Sequence, residues 1–158
     1  MTQWAVSACL NRPRTAQSFY NSKIYILAER FCLNSNLCLI FFIVVDLNDN
    51  VKLIRMEMKG NLIVSNRDLC VIRVRTELAN GSILILQTSV EDSRIPETKC
   101  VRAEAIITAT LLEDVEGGCK VTSIQNMDPK GSIPTSFVNM MAGKQHDQYV
   151  ALEKKMES

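Results

Sequence analysis

Beyond residue 46 the chain alternates short apolar segments with clusters of turn-forming residues, and apolar and polar positions alternate within most of the segments. A period of two residues is typical of β-strands, because successive side chains of a strand point to opposite faces. Strands that follow one another across short turns pair as hairpins, so the pattern predicts an antiparallel meander. The predicted strands are residues 51–58, 67–77, 82–90, 101–112 and 120–127.

Turn-forming residues separate these strands. The Asn and Asp residues of 47–50, and Asn-Gly within 79–81, tolerate the left-handed backbone that tight turns need. Residues 114–118, which end in Gly-Gly, predict a second hairpin turn, and residues 91–99 predict a loop. Within residues 51–58 the apolar positions change parity once, which predicts a β-bulge in that strand.

A helical pattern replaces the strand pattern at the C-terminal end. Apolar residues recur at helical spacing over residues 135–158, with a polar interruption at 144–148. Ser132 suits an N-cap, whose side chain accepts a backbone N–H bond, and Pro134 suits the first turn, where its missing N–H is no loss. The predicted fold class is therefore α+β, with a long C-terminal helix packed on the sheet.

The N-terminal residues 1–45 are less regular, and we treat them as an unassigned segment that precedes a domain of residues 46–158. Residues 19–31 have an apolar periodicity compatible with one helix. Residues 37–45 are nine consecutive apolar residues, whereas a membrane-spanning helix needs about 20. Their β-branched and aromatic content predicts a buried strand. The alternative is a weak anchor at a membrane interface.

Composition narrows the function classes. The chain has 158 residues, 47% of them hydrophobic, which is enough for one domain with a core. A net charge of +1, from 18 basic and 17 acidic residues, argues against a nucleic-acid partner. The six cysteines have no CxxC spacing, so we predict no metal site and no disulfide framework. We therefore expect the protein to reside in a reducing compartment.

Catalytic motifs are missing from the sequence. The single histidine, His146, lies in the polar part of the predicted helix and has no accompanying Ser or Cys nucleophile motif. There is no HExxH pattern, no phosphate-binding loop and no dinucleotide-binding glycine pattern. We therefore expect no catalytic residues, no cofactor and no enzymatic activity.

Arg73 is a charged residue within a predicted strand whose neighbouring positions are apolar. Its own parity carries Leu69 and Val71. The other parity carries Ile72 and Val74, and a strand that is apolar on both parities is usually buried on both faces. A buried guanidinium is costly unless it is paired or hydrogen-bonded. Two interpretations stay open: Arg73 is enclosed in a cavity and orients an amphipathic ligand, or its side chain reaches water.

Four motifs occur in the order and at the spacing of a known family. They are Ser-Asn-Arg-Asp-Leu at 65–69, Gln-Thr-Ser-Val-Glu at 87–91, Val-Arg-Ala-Glu at 101–104 and Met-Asp-Pro-Lys-Gly-Ser-Ile-Pro at 127–134, followed by Phe-Val-Asn at 137–139. The chain resembles the START domain family of steroidogenic-acute-regulatory-protein-related lipid transfer domains. The resemblance implies a helix-grip fold, in which a curved antiparallel sheet wraps around the C-terminal helix and encloses a lipid tunnel. It also implies that the N-terminal part of the family domain is missing.

The same resemblance implies non-enzymatic binding and transfer of one lipid, a sterol or a phospholipid, by a cytoplasmic protein with transient contact to a membrane surface. Arg73 falls on the position of a buried arginine that pairs with an acidic residue in sterol-binding members, and Glu57 is the nearest acidic candidate. Residues 91–99 are implied to be a mobile loop at the tunnel mouth. The implied lipid-binding residues are Arg73, Glu57, Val71, Phe137, Val138 and Met141.

Two other functions stay open. A truncated START domain can act as an interaction or regulatory module without lipid binding, in which case an exposed sheet edge and dimerisation are expected. An enzyme on a helix-grip scaffold is the third alternative, and a titratable pair in the cavity would distinguish it. The sequence does not determine the oligomeric state.

Overall fold

The alternating segments form the strands of one sheet in the computed structural model. The structure describes residues 2–11, 38–62, 64–116, 118–136, 138, 139 and 150. The described strands are β1 (Thr2–Asn11), β2 (Cys38–Asn48), β3 (Val51–Met58), β4 (Arg67–Glu77), β5 (Ile83–Ser89), β6 (Val101–Arg102), β7 (Glu104–Val115) and β8 (Gly118–Asp128).

The strand order is β1-β8-β7-β5-β4-β3-β2, and the short β6 pairs with β4. From β2 to β8 the long strands follow one another in chain order and pair antiparallel, which confirms the predicted meander. β1 pairs antiparallel with β8 at the other side of the sheet. The sheet thus contains strands from both sides of residue 45, and the division into 1–45 and 46–158 stays a prediction.

One predicted strand is divided in two. Residues 101–112 were expected to be continuous, but Val101 and Arg102 pair in parallel with β4 as β6, and β7 begins at Glu104. Between them, the Ala103 N–H donates to the Asp68 carbonyl at 2.9 Å. The strand divides here because the chain leaves β4 after Ala103 and then pairs with β5 and β8.

The bulge predicted in β3 is wrong in its position. All eight residues of β3 pair with β4 in unbroken register, and the register shifts occur in β2, where the extra residues include Val44 and Leu47. The parity change within β3 has another cause. Leu53 and Ile54 point to opposite faces of the sheet, and they are only 2% and 0% exposed, so both faces of β3 are buried at that point.

Residues 38–45 of the apolar segment 37–45 lie in strand β2, as predicted, but Val44 near the end of the segment is not buried. Val44 is 36% exposed and Leu47 is 48% exposed, because each is the extra residue of a bulge in β2. No helix among the described residues is long and apolar enough to cross a membrane.

The two faces of the sheet carry separate apolar clusters, and we name each face by a residue of β4. The Arg73 face carries Leu69, Val71 and Arg73, and the Asp68 face carries Asp68 and Cys70. Ile54, Leu69, Val71, Ala103 and Ala105 pack together in the first cluster. Leu53, Cys70 and Ile95 pack together in the second cluster, on the Asp68 face. β4 is therefore buried on both faces along its first half, as its sequence predicted.

The three cysteines with described side chains form no disulfide bond, namely Cys70, Cys100 and Cys119. Cys70 and Cys119 are buried, and burial raises the pKa of the Cys70 thiol. Both therefore act as small core residues.

Only the start of the C-terminal helix falls within the described residues. The Val138 N–H donates to the Pro134 carbonyl at 3.3 Å, which is the i to i−4 bond of a first helical turn. Residues 135, 136, 138, 139 and 150 have helical backbone. The rest of the predicted helix, including His146, and the predicted helix at 19–31 lie outside the described residues. The long C-terminal helix thus stays a prediction.

Candidate functional site

Arg73 is buried near the middle of the sheet, with 4% of its surface exposed. Its cross-strand neighbours are Lys52 on β3 and Gln87 on β5. In the amide orientation that satisfies both groups, the Gln87 side-chain oxygen accepts hydrogen bonds from Nε and Nη2 of Arg73, each at 3.3 Å. The enclosed interpretation of Arg73 is therefore supported, because the guanidinium is hydrogen-bonded inside the protein.

Polar side chains continue across the sheet from Arg73. Gln87 lies opposite Thr108 on β7, and Thr108 lies opposite Gln125 on β8. Residues directly opposite each other in neighbouring strands share a face and have Cβ atoms about 5 Å apart. These residues form what we call the polar row: Lys52, Arg73, Gln87, Thr108 and Gln125.

On the side toward the start of β4, the polar row is flanked by buried apolar positions. Val71 and Ile54, one pair toward the start of β4, are both 0% exposed. On the other side, the buried Ile85 shares the next row with three polar residues, Arg75, Thr110 and Ser123. The Arg73 face therefore presents a band of hydrogen-bonding groups that borders a buried apolar cluster on one side.

The structure does not bring Glu57 to Arg73. Glu57 lies opposite Asp68 and hence on the Asp68 face, where its carboxylate accepts from Nη2 of Arg55 at 3.4 Å. Val71, in contrast, lies on the Arg73 face, two residues before Arg73. The acidic partner that the resemblance implied for Arg73 is therefore not supplied by Glu57.

A charged cluster occupies the Asp68 face instead. Asp68 is 0% exposed, and its two carboxylate oxygens accept from Nε and Nη2 of Arg102 at 2.8 and 3.0 Å. Thr98 donates to the same carboxylate at 3.4 Å. Nε of Arg55 lies 3.5 Å from it, close enough for ionic attraction but not aligned for a hydrogen bond. The hydrogen bonds that Arg102 donates to Asp68 raise the pKa of Arg102.

Arg102 also holds the loop at residues 91–99. Its Nη2 donates to the carbonyl of Pro96 at 3.0 Å and to that of Ile95 at 3.5 Å. Ile95 itself is 3% exposed and packs against Leu53 and Cys70. The loop is thus fastened to the Asp68 face, and its position at a tunnel mouth stays a prediction. Its apolar residue and its carbonyl groups both find partners on that face.

Arg67 performs a comparable role on the Arg73 face. It is 6% exposed and donates to the carbonyls of Ser65, Pro129 (3.4 Å) and Lys130 (3.3 Å), while burial lowers its pKa. A Cβ at Gly131, whose φ is +70°, would lie 3.4 Å from the guanidinium. Beside Arg67 the structure leaves a cavity of about 20 Å³, which has room for about one water molecule.

These contacts give a structural role to residues of three of the family motifs. Arg67 and Asp68 are neighbours in motif 65–69, point to opposite faces, and bind motifs 127–134 and 101–104 respectively. Their role is to hold connections in place, which the motif comparison alone did not reveal.

The remaining predicted site residues belong to the predicted C-terminal helix. Val138 is partly buried, whereas Phe137 and Met141 are outside the described residues. Sequence reasoning missed Thr108 and Gln125, because membership of the polar row depends on strand register. No group of three or more metal-ligating side chains occurs in the part of the chain that the structure describes.

Comparison with known proteins identifies the fold. The family model described as the START domain matches residues 42–151. The human StarD13 (DLC2) lipid transfer and protein localization domain is 17% identical with a TM-score of 0.79, covering 98% of this chain and 76% of that one. Human StAR-related lipid transfer protein 5 is 14% identical with a TM-score of 0.78, covering 98% and 74%. A STAR-related lipid transfer protein from Xanthomonas axonopodis is 20% identical with a TM-score of 0.74, covering 99% and 86%. No curated protein sequence matches the chain.

Proposed function

The chain belongs to the START domain family, and from that membership we propose that it binds and transfers a single lipid without chemical change. The three similar solved structures described above are each named as a lipid transfer protein or domain. Sterols and phospholipids are both within the proposed ligand class. Transfer requires the protein to contact a membrane surface transiently, at the moment when the lipid enters or leaves.

A buried guanidinium beside buried apolar residues supports this function most directly. Arg73 is 4% exposed, and Val71 and Ile54 beside it are fully buried. In our proposal the lipid's apolar body lies along this face, where burial of apolar surface contributes about 25 cal/mol per Å². The polar end of the lipid would bind Arg73 and its neighbours in the polar row.

The C-terminal helix would complete the site in this proposal. Val138 lies in its first turn, and Phe137 and Met141 are proposed to face the lipid from the same helix. The helix would move away from the sheet to admit the ligand. Glu57, which lies on the Asp68 face, is proposed to stabilise Arg55 rather than to contact the lipid.

Native mass spectrometry of the purified chain, followed by identification of any lipid released by organic solvent, tests the function. We expect one lipid for each chain. The Arg73→Leu variant should fold and lose most of this lipid, whereas Lys120→Leu, which removes an exposed charge on the Asp68 face, should keep it.

A monomer that stays empty when sterols and phospholipids are added would contradict lipid binding. An empty chain that dimerises would support the alternative function as an interaction module. Equal loading of the Arg73→Leu variant and the parent protein would remove Arg73 from the site while leaving lipid binding in place.

A further inference from the structure

We propose that the outer edge of β1 is an interaction surface, at which two copies of this chain pair antiparallel, β1 against β1, about a two-fold axis. The sheets of the two copies then form one continuous sheet. The proposal goes beyond lipid binding and does not depend on it.

β1 and β2 are the two edges of the described sheet. Each of them pairs with one described strand only, β1 with β8 and β2 with β3. The backbone N–H and C=O groups on the outer side of an edge strand form a template for another strand. Proteins protect such edges with bulges, charged side chains or proline, so the two edges can be compared by these features.

β2 is protected in this way. Its pairing with β3 shifts register at three points along the strand. Asp46 adds a charge to β2, with a side chain that is 63% exposed. Bulges bend a strand and interrupt its hydrogen-bond ladder, and a charge on an edge strand opposes close pairing. β2 is therefore a poor template for another strand.

β1 is not protected. All ten of its residues pair with β8 in one unbroken register, from Thr2 opposite Met127 to Asn11 opposite Gly118. Residues 2–11 include no charged side chain and no proline. This edge is long as well, because strands usually have about five or six residues. The outer edge of β1 is thus long, regular and uncharged, which is the type of edge that pairs with another strand.

A second copy of the chain fits this edge. A two-fold axis normal to the sheet makes the two β1 strands antiparallel and keeps each face on the same side in both copies. Because directly opposite residues share a face, either Val6 or Ser7 lies opposite its own copy at the axis. Residues 2–10 or 3–11 of each copy then pair through about nine hydrogen bonds, close to the roughly ten of a specific interface.

The same contact limits association to a dimer. A two-fold contact uses the same surface on both copies, so it occupies both β1 edges at once. The outer edges that remain are the two protected β2 strands. No charged side chain on either β1 strand repels the other copy.

Sedimentation analysis and hydrogen exchange of the full chain test the proposal together. Sedimentation over a range of protein concentrations should show an equilibrium between monomer and dimer. Alternate residues of an antiparallel strand bond to opposite neighbours, so every second amide of β1 bonds to β8 and the others point outward. The outward amides should exchange fast in dilute protein and become protected at high concentration, whereas the amides between them should change little.

A charge at the centre of β1 provides a second test. Ser7→Lys brings like charges from the two copies together, so the dissociation constant of the dimer should rise at least several-fold. Thr76→Lys, the matched control, adds the same charge at an exposed position of β4 and should leave the dissociation constant unchanged. Thr76 lies in the same row of the Asp68 face as Ser7, and the row runs between them through Thr122, Leu111 and Leu84. Circular dichroism checks that each variant is folded, and the exchange measurement needs no variant.

Each outcome supports or overturns the proposal. A monomer at all concentrations overturns it, and outward amides that are protected in that monomer would show that another segment of the same chain covers β1. A dimer that leaves the outward amides of β1 unprotected, or that Ser7→Lys and Thr76→Lys weaken equally, pairs through another surface and also overturns it. Lipid loading is measured separately, so none of these results removes the proposed lipid binding.

Discussion

Among the described residues, the ion pair between Asp68 and Arg102 should contribute more to the free energy of unfolding than any other charged contact. Asp68→Asn keeps the side-chain volume and removes the negative charge, so it leaves Arg102 beside a neutral amide. Breaking a buried ion pair costs about 3–5 kcal/mol. The Arg102 side chain is 28% exposed and retains the Pro96 carbonyl as an acceptor, so we expect a loss near the lower end, about 3 kcal/mol.

Urea unfolding followed by circular dichroism measures this loss, and hydrogen exchange locates it. The Ile95 N–H donates to the Asp92 carbonyl at 2.9 Å within the loop. Because Arg102 connects Asp68 to this loop, the Ile95 amide should exchange faster in Asp68→Asn, while amides in the centre of β8 change only with global stability.

The pair of Asp92 and Arg94 provides a matched control. Its two hydrogen bonds, at 2.8 and 2.7 Å, resemble those of Asp68, but its side chains are 22% and 46% exposed. Solvent and salt weaken such a pair, so Asp92→Asn should lose much less stability than Asp68→Asn. A similar loss in both variants, or no coupling between Asp68→Asn and Arg102→Gln in a double-mutant cycle, would refute the reasoning.

Three further predictions concern other parts of the described chain. Gly60→Ala should destabilise the protein by at least about 1 kcal/mol, because its Cβ would lie 1.8 Å from the Val64 carbonyl oxygen; unchanged urea unfolding would contradict this. Arg67→Met keeps the apolar stem but leaves the carbonyls after β8 without their donor, so we expect the free energy of unfolding to fall by about 2 kcal/mol. Backbone amides within residues 129–136 should also exchange faster. A loss of stability without faster exchange there would show that these contacts do not hold the connection. Hydrogen bonds from Arg94 lower the pKa of Asp92 from 3.8 to about 2, so the stabilisation from this carboxylate is present above pH 3.8 and lost as pH falls through about 2. An NMR titration of Asp92 should show this midpoint in the parent protein and an ordinary one in Arg94→Ala.

The two faces of β4 explain how one strand organises much of the described structure. Arg67 holds the connection that leads to the C-terminal helix, and Asp68 holds the loop between β5 and β6 through Arg102. Arg73, further along the strand, lies in the proposed ligand site. A substitution at the start of β4 therefore affects how the connections are held, whereas a substitution at Arg73 affects the proposed binding of the lipid.

The sequence by itself determined most of the strands beyond residue 37, the hairpin turns and the family. β4 begins and ends where the alternation predicted, and the turn at 79–81 contains Gly81 with φ of +79°. These features depend on residues that are close in sequence, through the two-residue period of a strand and the backbone freedom of glycine. Apolar residues occur at both odd and even positions of β4, and this correctly predicted that β4 is buried on both faces.

Only the tertiary structure decided which polar residues meet. The polar row joins residues from β3, β4, β5, β7 and β8, and its membership follows from strand register. Glu57 pairs with Asp68, whereas Lys52 pairs with Arg73. A shift of one residue in the pairing of β3 with β4 would have moved Glu57 to the Arg73 face, because successive side chains alternate between faces. The length and conformation of a connection set this register, so composition and spacing along a single strand do not reveal it.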